Sequence, residues 1–396
     1  VRDVFCTRQP LLNRQGKIVA TRLIFDLSSA TLPAEGEMAA LASSLEHLLE
    51  SWPVGEKTIF VSLHGATVGA GLFAWHAPEN AAVEVTAAAF AGVAGDSLLH
   101  ALRGLNTALC LQYDEQAATA LASGIYFRFI GIDLLSHNPA QTKALVAHTS
   151  ALGIPVAFNA ASPQDFSGSV DAGVSAVSGW FFKQPTQAPA KTISPSHAHI
   201  VRVLNLVRSN ANISEIEAAL KQDVALSYKL LRYINSAGFG LNCEIQSFRH
   251  AVTILGYDKL NRWLSLLLAT ASKDPMAPAL MHTALTRGRM MELLGHGLVD
   301  ASEYDNLFIT GAFSLLNIML GVDMEQVLDA MHLPEAISDA LLGSGGVYAP
   351  FLDLAAACES LDATALAAQA AMLGLTAEQV NRAQLEALNF ADRLEF

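Results

Sequence analysis

Short runs in which apolar positions alternate with polar ones fill the first half of this chain. Runs at 17–25, 58–63, 82–86, 107–112, 127–133, 155–159 and 176–182 predict strands. Between them, residues 37–51, 91–104 and 141–152 carry apolar positions at helical spacing. Alternating strands and helices predict a mostly parallel sheet, open or closed. After about residue 200 the strand signals stop and the pattern predicts helices throughout. Leu226, Leu230, Leu231 and Ile234 mark one buried helix face. Asn235-Ser-Ala-Gly238 ends that helix, and Gly238 and Gly240 permit a tight turn. Ser247 caps a second helix, which runs through Ala251, Ile254 and Leu255 to Gly256. A third follows through Leu260, Trp263, Leu264 and Leu267.

Between the two patterns, residues 184–200 contain three prolines among small polar residues, which marks a linker. The predicted organisation is an α/β domain at 1–187, a linker at 188–199 and an all-α domain at 200–396. With 52% hydrophobic and 15% charged residues, the chain can fill two cores. The 17 uncharged residues at 306–322 predict a buried core helix, because Asn306, Thr310, Ser314 and Asn317 interrupt the run. No signal peptide is expected from the opening Val1-Arg-Asp-Val-Phe. Cys6, Cys110, Cys243 and Cys358 are isolated, so a reduced, cytoplasmic protein without a membrane span is expected.

A net charge of −13 argues against general nucleic-acid binding. The charge is unevenly placed. Residues 197–290 carry 11 Lys/Arg against 6 Asp/Glu, and residues 291–396 carry 2 against 16. Either the two halves pack together and neutralise each other, or they present a basic and an acidic face to different partners.

Three ordered blocks carry a resemblance. Tyr228-Lys-Leu-Leu-Arg-Tyr-Ile-Asn-Ser-Ala-Gly-Phe-Gly-Leu, Ser247-Phe-Arg-His-Ala-Val-Thr-Ile-Leu-Gly256 and Phe308-Ile-Thr-Gly311-Ala-Phe-Ser-Leu-Leu316 resemble the HDOD domain. That domain is a helical relative of the HD metal-dependent phosphohydrolases that has lost their metal site. Cys6-Thr-Arg-Gln-Pro-Leu-Leu-Asn-Arg-Gln-Gly-Lys-Ile-Val-Ala and Gly179-Trp-Phe-Phe-Lys-Gln-Pro185 resemble the opening and closing of EAL domains. Those are barrel-shaped phosphodiesterases of cyclic di-GMP. The resemblance implies a TIM-like EAL barrel followed by an all-α HDOD domain. At about 185 residues the barrel is short for a (β/α)8 fold, so a missing or atrophied helix is expected.

Carried over one residue at a time, the resemblance puts Arg22 where the EAL signature has Glu, and Asp26 where an Arg grips the nucleotide. Ser62 falls at the strand-two Asn, and Glu84 is kept, with Ala87 in place of its partner. The Asp-Asp-Phe motif reads Gln112-Tyr113-Asp114. Gly131 falls at the catalytic Lys, and Asp133 survives two positions on. Ala157-Phe-Asn-Ala-Ala161 replaces a segment with two acids and a lysine, and Ser178 replaces the closing Gln. Glu84 and Asp133 are the carboxylates left, and an ion pair with Arg22 is expected of them rather than a metal site. In the helical domain the His-Asp pair of HD enzymes falls at Ser314 and Leu315, which cannot replace those ligands. His282, His296 and Glu292 are expected on helix surfaces or at caps, and His197 and His199 in a solvated linker.

The resemblance therefore implies a signalling scaffold rather than an enzyme, with no cofactor and no metal. Expected partners are histidine kinases, cyclic di-GMP enzymes, motility components or a second copy of the chain. Candidate contact residues are Lys229, Arg232, Arg249, Lys259, Arg262, Arg287 and Arg289. Alternatives are a cyclic di-GMP receptor without turnover, against which Asp26, Gly131 and Phe158 speak, and a residual phosphodiesterase.

Overall fold

The computed structural model describes residues 4–28, 34–184, 190, 193, 195–222, 234, 235, 245, 247–270, 275–331 and 333–394. Eight strands close into a barrel in chain order: β1 (Cys6–Leu12), β2 (Ile18–Asp26), β3 (Thr58–His64), β4 (Ala81–Thr86), β5 (Ala108–Gln112), β6 (Phe129–Asp133), β7 (Ile154–Phe158) and β8 (Ala176–Ser178). β1 pairs antiparallel with both β2 and β8, and the other neighbours are parallel. The outer helices are α1 (Ala34–His47), α2 (Gly92–Leu102), α3 (Ala117–Ala122), α4 (Pro139–Thr149) and α5 (Pro163–Asp171). Between β3 and β4 stands only a single 3-10 turn, Ala70–Ala74, where a full barrel has a helix. The atrophied helix expected from the domain's length lies here.

β1 is absent from the strand runs of the sequence. Thr7, Arg8 and Gln9 break its apolar pattern, yet every residue of the strand is buried. Its polar groups are met by residues from far along the chain. Arg8 donates to Gln384 (2.8 Å) and to Glu359 (3.0 Å). Lys183 donates to the other oxygen of Glu359 (2.8 Å). The Cys6 amide donates to Asn381 (3.0 Å), and Gln384 donates to the Cys6 carbonyl (2.9 Å).

The chain accordingly divides into two compact units that are discontinuous in sequence. One is Val1–Gln184 with Ala357–Leu385, and the other is Pro185–Ala356 with Glu386–Phe396. This differs from a helical domain running unbroken over 200–396, because the hydrogen bonds to β1 hold residues 357–385 in the barrel unit.

The helical unit contains α6 (Pro195–Arg208), α7 (Ile213–Lys221), α8 (Phe248–Thr270), α9 (Ala277–Gly295), α10 (Tyr304–Phe313), α11 (Leu316–Leu320), α12 (Met324–Ala330), α13 (Glu335–Leu342) and α14 (Ala349–Ala357). α15 (Ala363–Met372) and α16 (Ala377–Asp392) follow. Helix begins at Pro195, inside the predicted linker, and His197 is buried rather than solvated. Much of the block at 228–256 lies outside the described residues. Its described parts behave as the sequence implies. Asn235 exchanges two hydrogen bonds with the Ile245 backbone, at 2.7 and 2.6 Å. Ser247 accepts from the His250 amide (3.1 Å), and Gly256, at φ 76°, kinks α8. α9 and α10 approach closely, since a Cβ on Gly311 would sit 2.6 Å from the Gly288 backbone. The uncharged run at 306–322 is split between α10 and α11. Among the described residues, no helix is long and apolar enough to cross a membrane.

Candidate functional site

Inside the barrel, one apolar cluster takes a residue from every strand: Leu11, Ala20, Phe60, Ala82, Cys110, Phe129, Val156, Phe158 and Ala176. Strand residues two apart share a face. Two positions further toward the carboxyl ends of β2 to β5 and β8, the same face therefore carries Arg22, Ser62, Glu84, Gln112 and Ser178. Enzymes on this fold place their chemistry at that end of the barrel.

The polar layer is organised around Arg22. Its guanidinium forks onto Glu84, Nε to Oε1 at 2.7 Å and Nη2 to Oε2 at 2.8 Å. Nη2 also donates to Ser62 Oγ (3.1 Å), and Nη1 donates to Asn159 Oδ1 (3.2 Å). Gln112 donates a further bond to Glu84 Oε2 (2.8 Å). Asn159 then donates to Asp133 Oδ1 (2.9 Å), which links the second carboxylate to the network without a direct contact to Arg22. Arg22 and Glu84 are 6% and 3% exposed, so the pair is desolvated and depends on this completeness. Below the guanidinium, at 4.2 Å from its centre, lies the Phe158 ring. Burial, followed by the charge of Glu84, pushes the neighbouring Cys110 thiol up, which keeps it protonated and inert.

The resemblance gives Asn159 and Gln112 only as losses, yet they complete the site. Asn159 holds φ at +65°, a conformation that Asn tolerates better than most residues. Its own amide donates to Ser178 Oγ (3.1 Å). Gly131 has a packing reason. A Cβ there would stand 2.5 Å from Phe158 Cε2, so the aromatic ring fills the space over that strand position. Asp26 is turned away, accepting from the Ser28 amide at 2.8 Å. A divalent cation does not fit beside a guanidinium bonded to both oxygens of Glu84. Among the described residues, no group of three or more His, Cys, Asp or Glu side chains could hold a metal ion.

The structure does not gather the candidate contact residues into one basic face. Lys229 and Arg232 lie outside the described residues. Lys259 is exposed, and exposed Arg249 pairs with Glu217 at 3.1 Å. Arg262 is instead buried, stacked 3.5 Å from the Phe308 ring centre and bonded to Glu292 (2.8 Å) and Asp305 (3.3 Å). Arg289 also pairs with Glu292 (2.9 Å), and buried Arg287 donates to Ser314 Oγ (2.9 Å). His282 is buried as well and bonds Asp392 at 2.7 Å, whereas the His296 ring lies tilted against Tyr304, ring centres 4.5 Å apart. The basic and acidic halves of the sequence thus meet through Arg262, Arg289 and His282. A chain-order charge count cannot separate surface cations from those that cross the core. Elsewhere in this unit, α6 and α12 border a groove of about 760 Å³ lined by Val201, Arg202, Asn205, Gln326 and Asp329.

Comparison with known proteins places an HDOD domain at residues 193–322. The chain is 27% identical over 266 residues to "Cyclic di-GMP phosphodiesterase CdgJ" of Vibrio cholerae, a match covering 66% of this chain and 62% of that protein. It is 24% identical over 375 residues to "Uncharacterized protein YuxH" of Bacillus subtilis, covering 90% of this chain and 91% of that one. Among solved structures it is similar to a Klebsiella pneumoniae BlrP1 complex with manganese and cyclic di-GMP, at 14% identity and a TM-score of 0.37 over 46% of this chain and 55% of the other. The chain spans less than two thirds of CdgJ, and its arrangement is a closed eight-stranded barrel followed by a helical region that contains the match to the HDOD domain. The expectation that the chain is not an enzyme is overturned by the first match, since that relative bears the name of a phosphodiesterase.

Proposed function

We propose that this chain works in cyclic di-GMP signalling and delivers its output through contacts with partner proteins. The pathway is supported by the similarity to CdgJ and by the HDOD domain that accompanies the barrel. The contact-based output is supported by one observation above all. At the barrel mouth, Glu84 already spends both oxygens on Arg22 and Gln112, so this charge is committed to holding the protein's own side chains. The exposed cations Lys259 and Arg249 on α8 are the described candidates for partner contact that remain accessible.

The name of CdgJ favours a second reading, in which the barrel hydrolyses cyclic di-GMP. That reading requires the Arg22–Glu84 fork to open, because the carboxylate must exchange a guanidinium for a metal ion. Two measurements separate the readings. Full-length protein is incubated with cyclic di-GMP and magnesium or manganese, and the linear dinucleotide is followed by chromatography. In parallel, partners are captured from host lysate by the wild-type chain and by the double variant Arg249→Glu, Lys259→Glu. Linear product establishes the second reading. Loss of captured signalling proteins in the double variant supports the first, and unchanged recovery contradicts its assignment to α8.

A further inference from the structure

The groove between α6 and α12 has walls of opposite chemistry. On the α6 side, its lining runs from Ala198 through Val201, Asn205 and Leu206 to Ser209, a stripe of three helical turns, about 16 Å long. Val201 is buried and Leu206 half-buried, so the floor is apolar. Asn205 donates to the Ala330 carbonyl at the end of α12 (2.8 Å), which ties the two walls together. The charges at the rim are not used inside the protein. Arg202 on α6 and Asp329 on α12 both line the groove, and both are exposed. Among the described residues neither forms an ion pair, with the other or with a third group. Gln326, three residues before Asp329, also lines the groove, and its Oε1 is buried without a hydrogen-bond partner. Residues three apart share a helix face, so α12 offers two acceptors to the groove while α6 offers a guanidinium donor.

These features select the occupant. A polyanion or an anionic membrane surface would meet Arg202 but be repelled by Asp329. An apolar floor of this length, with a cation on one rim and an anion on the other, matches an amphipathic helix whose apolar ridge has an acid on one flank and a base on the other. We propose that the groove docks such a helix from a partner protein, with its acid on Arg202 and its base shared by Asp329 and Gln326 Oε1. The inference rests on the contact-based reading above and adds a surface to which Lys259 and Arg249 do not belong.

The test uses phage-displayed helices of about four turns. They carry a fixed Leu/Ala ridge, have flanking positions randomised among Lys, Glu and Gln, and are selected on the full chain. Wild type is expected to enrich helices with Glu on one flank and Lys on the other. Arg202→Glu turns the preferred Glu into Lys, and Asp329→Lys turns the preferred Lys into Glu. The variant with both changes prefers the two flanks interchanged. Fluorescence anisotropy of a peptide enriched on wild type gives an affinity about tenfold lower for each single variant. The Arg249→Glu, Lys259→Glu variant binds that peptide as wild type does. No enrichment on wild type, or one flank preference shared by all variants, overturns the proposal. Loss of the peptide in the α8 variant overturns it too, by moving the contact to α8. A dimer in sedimentation velocity that Arg202→Glu dissociates and the variant with both changes restores assigns the groove to a second copy, and is equally fatal. Should a charge reversal not fold, Arg202→Gln or Asp329→Asn replaces it, and a preference retained on that flank contradicts the pairing. Lysate capture with the α8 variant tests the contact-based reading separately, so either can fail alone.

Discussion

Gly131 and Phe158 show how closely single residues are fitted to one another in the barrel. The ring of Phe158 lies under the Arg22 guanidinium and against Phe60, with ring centres 5.8 Å apart. A methyl group on Gly131 would meet that ring at 2.5 Å. Gly131→Ala is therefore expected to cost about 1–3 kcal/mol by overpacking. Urea unfolding of Gly131→Ala, alone and with Phe158→Leu, checks this. The second change should restore part of the loss, and simple addition of the two costs would contradict the contact. At this scale the sequence disclosed which side chains had changed but not what replaced their bonds. Arg22 and Glu84 were legible as a pair because a remnant carboxylate beside a new cation has one obvious partner. Asn159 was not, because its role depends on a positive φ and on reaching Asp133 from a neighbouring strand.

At the scale of elements, the helical unit is tied by ion pairs that link α8, α9 and α10. Burial pushes the Glu292 carboxyl up, but hydrogen bonds and charge from Arg262, then Arg289, outweigh it and hold the group below its ordinary value. A carboxylate with a depressed folded pKa adds stability that is fully present above the unfolded value, about 4.3, and is lost as pH falls through the folded one. Glu292→Gln is thus expected to be less stable than wild type at neutral pH, with the gap closing below roughly pH 4. Denaturant midpoints across that range test it, and a gap that stays constant into acid would contradict the assignment. The strand and helix series was legible from periodicity, and the first half of α8 from its cap and from the glycine at its kink. β1 was not, because partners for Arg8 and Gln9 come from other parts of the chain and leave no local pattern. α5 was also missed, although Ser162-Pro163 and Asp165 form a capping box that a search for helix starts would find.

Across the whole molecule, the chain's order is a poor guide to its compact units. Residues 357–385 return to the barrel unit, where Glu359 sits 1% exposed between Arg8 and Lys183. Composition and motif order made two fold types legible, but local composition could not reveal this return. The same holds for charge. Part of the excess of basic residues before 290 is neutralised internally by acids after it, which leaves a smaller accessible surface for partners than the sequence count suggests. The proposed role rests most heavily on a barrel mouth that carries its own cation. A double-mutant cycle on the full chain with Arg22→Met and Glu84→Met measures this directly by urea unfolding. Each single change leaves a buried charge unpaired and is expected to cost about 3–5 kcal/mol, while the double variant costs markedly less than their sum, giving a coupling of about 2 kcal/mol or more. Additivity within about 0.5 kcal/mol would show that Arg22 and Glu84 do not hold each other, and would contradict the account at its centre.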